Sequence, residues 1–144
     1  MRLWSWQLLP YLSDLQFNGQ LRELTAIMRG WRDKGATNHL LINRVMDYPK
    51  GELTSYFLLY DIEYSNRYHK QHCELATEFV NFSKGDHFTV EPFKGWHNTE
   101  YLRVCVCNLY EKHRFGVGKS KITQTEWDRV LQGYKDITGE DWVL

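Results

Sequence analysis

Apolar side chains recur along this chain with helical spacing almost from end to end. Leu21, Leu24, Met28 and Trp31 stand three, four and three residues apart, in a stretch that follows Pro10 and offers Ser13 or Asp14 as an N-cap. The spacing predicts an amphipathic helix ending near Gly30. Gly35 and Thr37 then punctuate a short second helix carrying Leu40, Leu41 and Val45. It stops before Pro49, because the residue preceding a proline is pushed out of the helical region. Leu53, Phe57, Tyr60 and Tyr64 repeat at helical intervals, and Leu75, Phe79 and Phe82 continue the pattern after a break near His69, so the third helix is long or kinked.

From Ser83 to Trp96 the chain reads SKGDHFTVEPFKGW, with two glycines, a proline and no helical period, which predicts a loop. Asn98 then caps a helix whose stripe is Tyr101, Leu102, Cys105, Val106, Leu109 and Tyr110. Gly116 and Gly118 end it. Thr123 and Glu126 form a capping box ahead of Trp127, Val130, Leu131 and Tyr134. No strand pattern, internal repeat or low-complexity stretch competes. The expectation is an all-α fold, a single compact helical domain spanning residues 1–144.

Composition refines this picture. With 42% hydrophobic and 25% charged residues in 144, the chain can bury a core without disulfides or metals, and disorder and fibrous repeats are set aside. Aromatic residues reach 15%, with six Trp and nine Tyr, which suggests a surface that holds something flat. The 18 basic and 18 acidic groups cancel, so no global field draws in polyanions. Their distribution is uneven: residues 1–44 carry six basic and three acidic groups, residues 45–100 five and nine, and residues 101–144 seven and six. A phosphate-binding face is therefore expected in the first segment. Three cysteines without a secretory framework, no signal-peptide pattern and no long apolar run predict a reduced, cytoplasmic, membrane-free protein, expected to be a monomer.

Several candidate chemistries can be read from the residues alone. Gly116-Val-Gly118-Lys119-Ser120 lacks the spacing of a phosphate loop and reads as a turn. His69, His72 and Cys73 at i, i+3 and i+4 would be close enough on a helix to share a metal in a hydrolase, but no fourth ligand is evident and no metal is expected. Cys105 and Cys107 point to different sides of their helix and read as buried thiols. Arg22 and Glu23, with Gln16 and Gln20 before them and Arg29 a turn beyond, are either a solvated ion-paired face or a carboxylate positioned beside cations to work on a phosphodiester.

The segments Met1-Arg2-Leu3-Trp4, Leu8-Leu9-Pro10 and Gln16-Phe17-Asn18-Gly19-Gln20-Leu21-Arg22-Glu23-Leu24 resemble the N-terminal signature of the pyrimidine-dimer DNA glycosylases, a family of small helical domains. The resemblance is strongest over the first 30 residues. It implies a DNA-repair glycosylase with abasic-site lyase activity, acting on damaged double-stranded DNA without a cofactor. The nucleophile would be the α-amine of Met1, retained because Arg2 is bulky, and the indispensable acid would be Glu23. Arg2, Arg22 and Gln16 match positions that contact DNA. Phage members carry a histidine at the position of Phe17 and an arginine at that of Ala26, and Arg29 would replace that missing charge. The rival reading is a helical nucleic-acid-binding or protein-interaction module without turnover, which the neutral net charge, Phe17 and Ala26 favour.

Overall fold

Ser13 stands in extended backbone at the head of the longest helix, α1 (Asp14–Lys34), and its hydroxyl turns to the side chain of Gln16. The helix does not end at Gly30 as its spacing suggested. It continues to Gly35, which adopts the left-handed conformation (φ 72°) and donates its N–H to the Trp31 carbonyl. Gly30 serves a different need: a Cβ there would stand 3.0 Å from the carbonyl oxygen of Ala36, where the chain folds back over the helix. The computed structural model describes residues 2–37, 39 and 42–144. Leu40 and Leu41, expected on the second helix, lie outside the described residues, and the rest of that element is a 3-10 turn, Ile42–Asp47.

The long or kinked third helix is two helices, α2 (Lys50–Tyr68) and α3 (Cys73–Phe82), separated at His69, whose φ of 57° ends the first. The expected loop follows and is strapped across the start of α2. Asp86 accepts the Gly51 N–H at 3.0 Å, Ser55 Oγ accepts the Thr89 N–H at 2.9 Å, and Glu52 Oε1 accepts the Phe93 N–H at 2.9 Å. Next come α4 (Thr99–Phe115), capped by Asn98 Oδ1 on the Tyr101 N–H, and α5 (Gln124–Thr138), which opens with the complete Thr123/Glu126 capping box. A 3-10 turn, Gly118–Ser120, joins them. No strand occurs among the described residues, and the fold is all-α, a single compact helical domain.

α1 to α3 pack together on one side and α4 with α5 on the other. The short 3-10 helix Trp6–Tyr11, which no periodicity foretold, packs against both α2 and α5. Most aromatic rings fill the core rather than forming an exposed platform: Phe17 stacks on Tyr60 at 4.4 Å, Phe57 on Phe79 at 4.3 Å, and Trp4 and Trp96 are buried. Arg67 closes the entry to α1. It donates to the carbonyls of Leu9 and Leu12, pairs with Asp14 and Glu63, and lies 4.1 Å over the Phe17 ring.

Residues 2–5, ahead of that 3-10 helix, have no regular structure, yet Leu3, Trp4 and Ser5 are buried. Buried peptide groups need partners, and here side chains supply them. Gln20 accepts the Trp4 N–H at 2.8 Å and donates to the Arg2 carbonyl at 2.8 Å. The Tyr56 hydroxyl donates to the Trp4 carbonyl at 2.6 Å, and the Tyr101 hydroxyl to that of Leu3. Cys105 Sγ accepts the Ser5 N–H at 3.4 Å, and His97 Nδ1 accepts that of Trp6 at 3.3 Å.

The last contact fixes the His97 proton on Nε2, which is buried and has no partner among the described residues. Burial, helped by the positive charge of Arg44, pushes the His97 pKa down to about 3. An unfolded chain takes up a proton on this ring below about pH 6.5, whereas the folded chain does not. The stability contributed by the neutral ring is thus complete above that pH and is lost as the pH falls toward 3. We expect unfolding free energy from urea titrations to decline over this window, this group adding a slope of at most about 1.4 kcal/mol per pH unit. His97→Asn, which can keep an acceptor toward the Trp6 N–H, should flatten the decline; an unchanged slope would refute the assignment. A second expectation concerns the strap. A Cβ at Gly51 would overlap the His87 carbonyl, so Gly51→Ala should destabilise by about 1–3 kcal/mol, read as a fall in Tm of several degrees.

Candidate active site

Gln16, Gln20 and Glu23 are spaced by four and three residues and share one face of α1. That face forms one wall of a cleft of about 560 Å³, continued by Arg2, Trp4, Gly19 and Arg22. Gln20 is wholly buried, and its amide orientation follows from its partners: the oxygen accepts from Trp4, so the NH2 group faces the Arg2 carbonyl and Glu23 Oε2, the latter at 3.1 Å. Glu23 Oε2 also accepts the Arg2 N–H, at 3.0 Å. Two donors therefore hold one carboxylate oxygen against the start of the chain. The other, Oε1, has no donor among the described residues.

Around this carboxylate the cations are free. Neither Arg2 nor Arg22 forms an ion pair among the described residues. Arg22 is exposed, while Arg2 is half-buried with its guanidinium 5.4 Å over the Trp4 ring. Gln16 is held by the Ser13 hydroxyl at the edge of the same cleft. The arrangement pairs an oriented acid with two unneutralised arginines, which suits a phosphate-bearing substrate whose reacting carbon gains positive charge.

Of the site residues expected from sequence, Arg2, Gln16, Arg22 and Glu23 come together here. Met1 lies outside the described residues. Arg29 does not join them. Its guanidinium grips Glu78 of α3 at 2.8 and 2.9 Å, Arg32 reaches the same carboxylate at 2.8 Å, and hydrogen bonding from Arg29 above all holds the Glu78 carboxyl down to about 2. Arg29 lines two other depressions, one of them with Ala26, and does not line the Glu23 cleft. Phe17 is sealed in the core beneath Arg67.

The other candidate chemistries separate. His69 caps the end of α2, Cys73 begins α3, and His72 Nδ1 sits 2.9 Å from Asp61, so the three do not share the helix that their spacing assumed. No cluster of three metal-ligating side chains occurs among the described residues. Cys105 is buried, and burial pushes its thiol up to about 11, far from a reactive thiolate. Cys107, expected to be buried, is exposed on the opposite side of α4. No helix among the described residues is long and apolar enough to cross a membrane.

Sequence reasoning missed the far wall of the cleft. It comes from the end of α4 and the turn after it: Asn108, Glu111, Lys112, Phe115, Gly116 and Ser120. One signal was present. Residues 112–121 contain Lys112, Arg114, Lys119 and Lys121 and no acidic residue, but a count over 101–144 averages them away.

No curated protein and no solved structure matches the chain. A family model described as pyrimidine dimer DNA glycosylase matches residues 1–77, which span α1, α2 and the near wall of the cleft. That match covers more than half of the chain, and the chain belongs to the pyrimidine dimer DNA glycosylase family.

Proposed function

We propose that this protein excises pyrimidine dimers or a related base lesion from double-stranded DNA and cuts the strand at the abasic site, using the α-amine of Met1 as nucleophile and Glu23 as its acid–base partner. The observation that carries the reading is the 3.0 Å hydrogen bond from the Arg2 N–H to Glu23 Oε2. Only three covalent bonds, of about 1.46, 1.52 and 1.33 Å, separate that nitrogen from the amine of residue 1, so whatever conformation Met1 takes, its amine stays within about 4 Å of the Arg2 nitrogen.

The chemistry follows from these groups. An α-amine titrates near pH 8, so a substantial neutral fraction exists at pH 7, unlike a lysine with its pKa of about 10.4. Its lone pair attacks C1′ of the damaged nucleotide, the glycosidic bond breaks, and the base leaves with the bonding electrons and takes up a proton. Loss of a proton from the attached nitrogen and opening of the sugar give an imine. Removal of a C2′ proton then expels the 3′ phosphate by β-elimination, and water releases the amine. Glu23 stabilises the cationic sugar and carries protons between these steps, while Arg2 and Arg22 hold the flanking phosphates and Gln16 adds a polar contact. No metal or organic cofactor enters the scheme.

Untagged protein incubated with abasic-site DNA and borohydride should give a covalent adduct on the N-terminal peptide. Glu23→Gln should lower its formation at least about a hundredfold, and a retained N-terminal extension, which turns the amine into an amide, should abolish it. An adduct that forms equally well without Glu23 would sink the proposal. Salt-sensitive DNA binding with no adduct at all would favour the rival, a binding module without turnover.

A further inference from the structure

We propose that Phe115 is a base-stacking wedge: it inserts against the duplex beside the nucleotide held at Glu23, and the basic turn that follows it grips the phosphates. The inference rests on the DNA-glycosylase reading above and assigns a role to the wall of the cleft that lies beyond the family match.

Phe115 is the last residue of α4 and lines the cleft opposite Glu23. It is 72% exposed, more than any other phenylalanine of the chain, and Val117 beside it is 80% exposed. Phe115, on the lining of a polar cleft, and Val117, in the turn after it, are exposed apolar side chains left uncovered among the described residues. The turn carrying them is braced. The Ile122 N–H donates to the Lys112 carbonyl at 3.3 Å, the His113 Nδ1 lies 2.9 Å from the Ile122 carbonyl, and Ser120 Oγ donates to the Val117 carbonyl at 2.9 Å. His113 in turn stacks on the buried Trp127, tying the turn to the core. Gly116 is pressed so closely on α4 that a Cβ would overlap the Lys112 carbonyl.

The charge around this turn favours a polyanion, with Glu111 the acidic residue on the same wall of the cleft. Residues 112–121 offer four cations and no acid, and none of the four forms an ion pair among the described residues. The Arg114 guanidinium lies 5.9 Å from the Phe115 ring centroid. A rigid apolar tip set among unpaired cations suits a polyanion whose interior is stacked and flat, which is duplex DNA. An enzyme that draws a nucleotide out of a duplex must offset lost stacking, and an inserted ring does so; a single-stranded substrate makes no such demand.

The test compares abasic-site cleavage in duplex and in single-stranded oligonucleotides, for wild-type protein, Phe115→Ala and Phe115→Trp. The ratio of duplex to single-strand rates should fall at least about tenfold in Phe115→Ala, the scale of one lost base–aromatic stack, and Phe115→Trp should restore most of it. In a Glu23→Gln background, the fluorescence rise of 2-aminopurine placed next to the lesion, read at saturating protein, should disappear with Phe115→Ala. Equal losses on both substrates, an unchanged ratio, or a fluorescence rise that survives the substitution each overturn the wedge. Inactivity of the wild-type protein on both substrates overturns the glycosylase reading itself, and that outcome is visible without any Phe115 variant.

Discussion

The structure depends on one constraint: a stretch of irregular backbone at the start of the chain is buried, so its peptide groups must be satisfied by side chains. Helices and sheets meet this requirement with their own ladders, and residues 2–6 have none to use. Gln20, Glu23, Tyr56, His97, Tyr101 and Cys105 supply the partners instead. They come from α1, α2, the loop strapped on α2, and α4. A buried acceptor left without its donor costs about 1–3 kcal/mol, so these contacts hold the segment in a single path. The burial that demands the contacts also keeps Cys105 protonated and His97 neutral.

This constraint explains how residues without regular structure are held in one place beside Glu23. Half of the partners lie at positions 97, 101 and 105, outside the region matched by the family model. The region matched by the family model therefore does not hold residues 2–6 by itself; α4 is needed to close over them. The same helix then continues into the far wall of the cleft, so one rigid element relates the position of residue 2 to that of Phe115. On the proposed reading, the distance between the reacting nucleotide and the displaced stack is thus set by a helix rather than by a loop.

Periodicity revealed the helices, and local chemistry revealed the caps: Asn98 and the Thr123/Glu126 box act where their residue types place them. It misjudged the end of α1, because a glycine can mark either a helix terminus or a close approach, and only the position of Ala36 distinguishes the two at Gly30. The 3-10 helix Trp6–Tyr11 was illegible because six residues, WQLLPY, are too few to show a period. In the cleft, Gln16, Gln20 and Glu23 were readable together because they share one helix face. Arg29 was misleading for a related reason: its neighbours in sequence say nothing of Glu78, 49 positions away, which takes up its charge. The far wall depends on the end of α4 lining the same cleft as α1, a tertiary fact with no local signature.

The zero net charge, which speaks against a nucleic-acid ligand when taken alone, has a different meaning once the pairs are placed. Acidic groups of the central segment are engaged internally: Glu78 neutralises Arg29 and Arg32, Glu63 meets Arg67, Asp61 holds His72, and Glu52 and Asp86 accept backbone N–H groups. The cations flanking the Glu23 cleft are not engaged in this way. Arg2 and Arg22 on one wall and Lys112 on the other have no acidic partner among the described residues. Exposed charges farther apart than about 8–10 Å are largely screened at physiological salt, so a polyanion at the cleft responds to the local arrangement rather than to the total. On the proposed reading, a balanced overall charge limits non-specific attraction along undamaged DNA and leaves recognition to the few positions where unpaired arginine, oriented carboxylate and exposed ring meet.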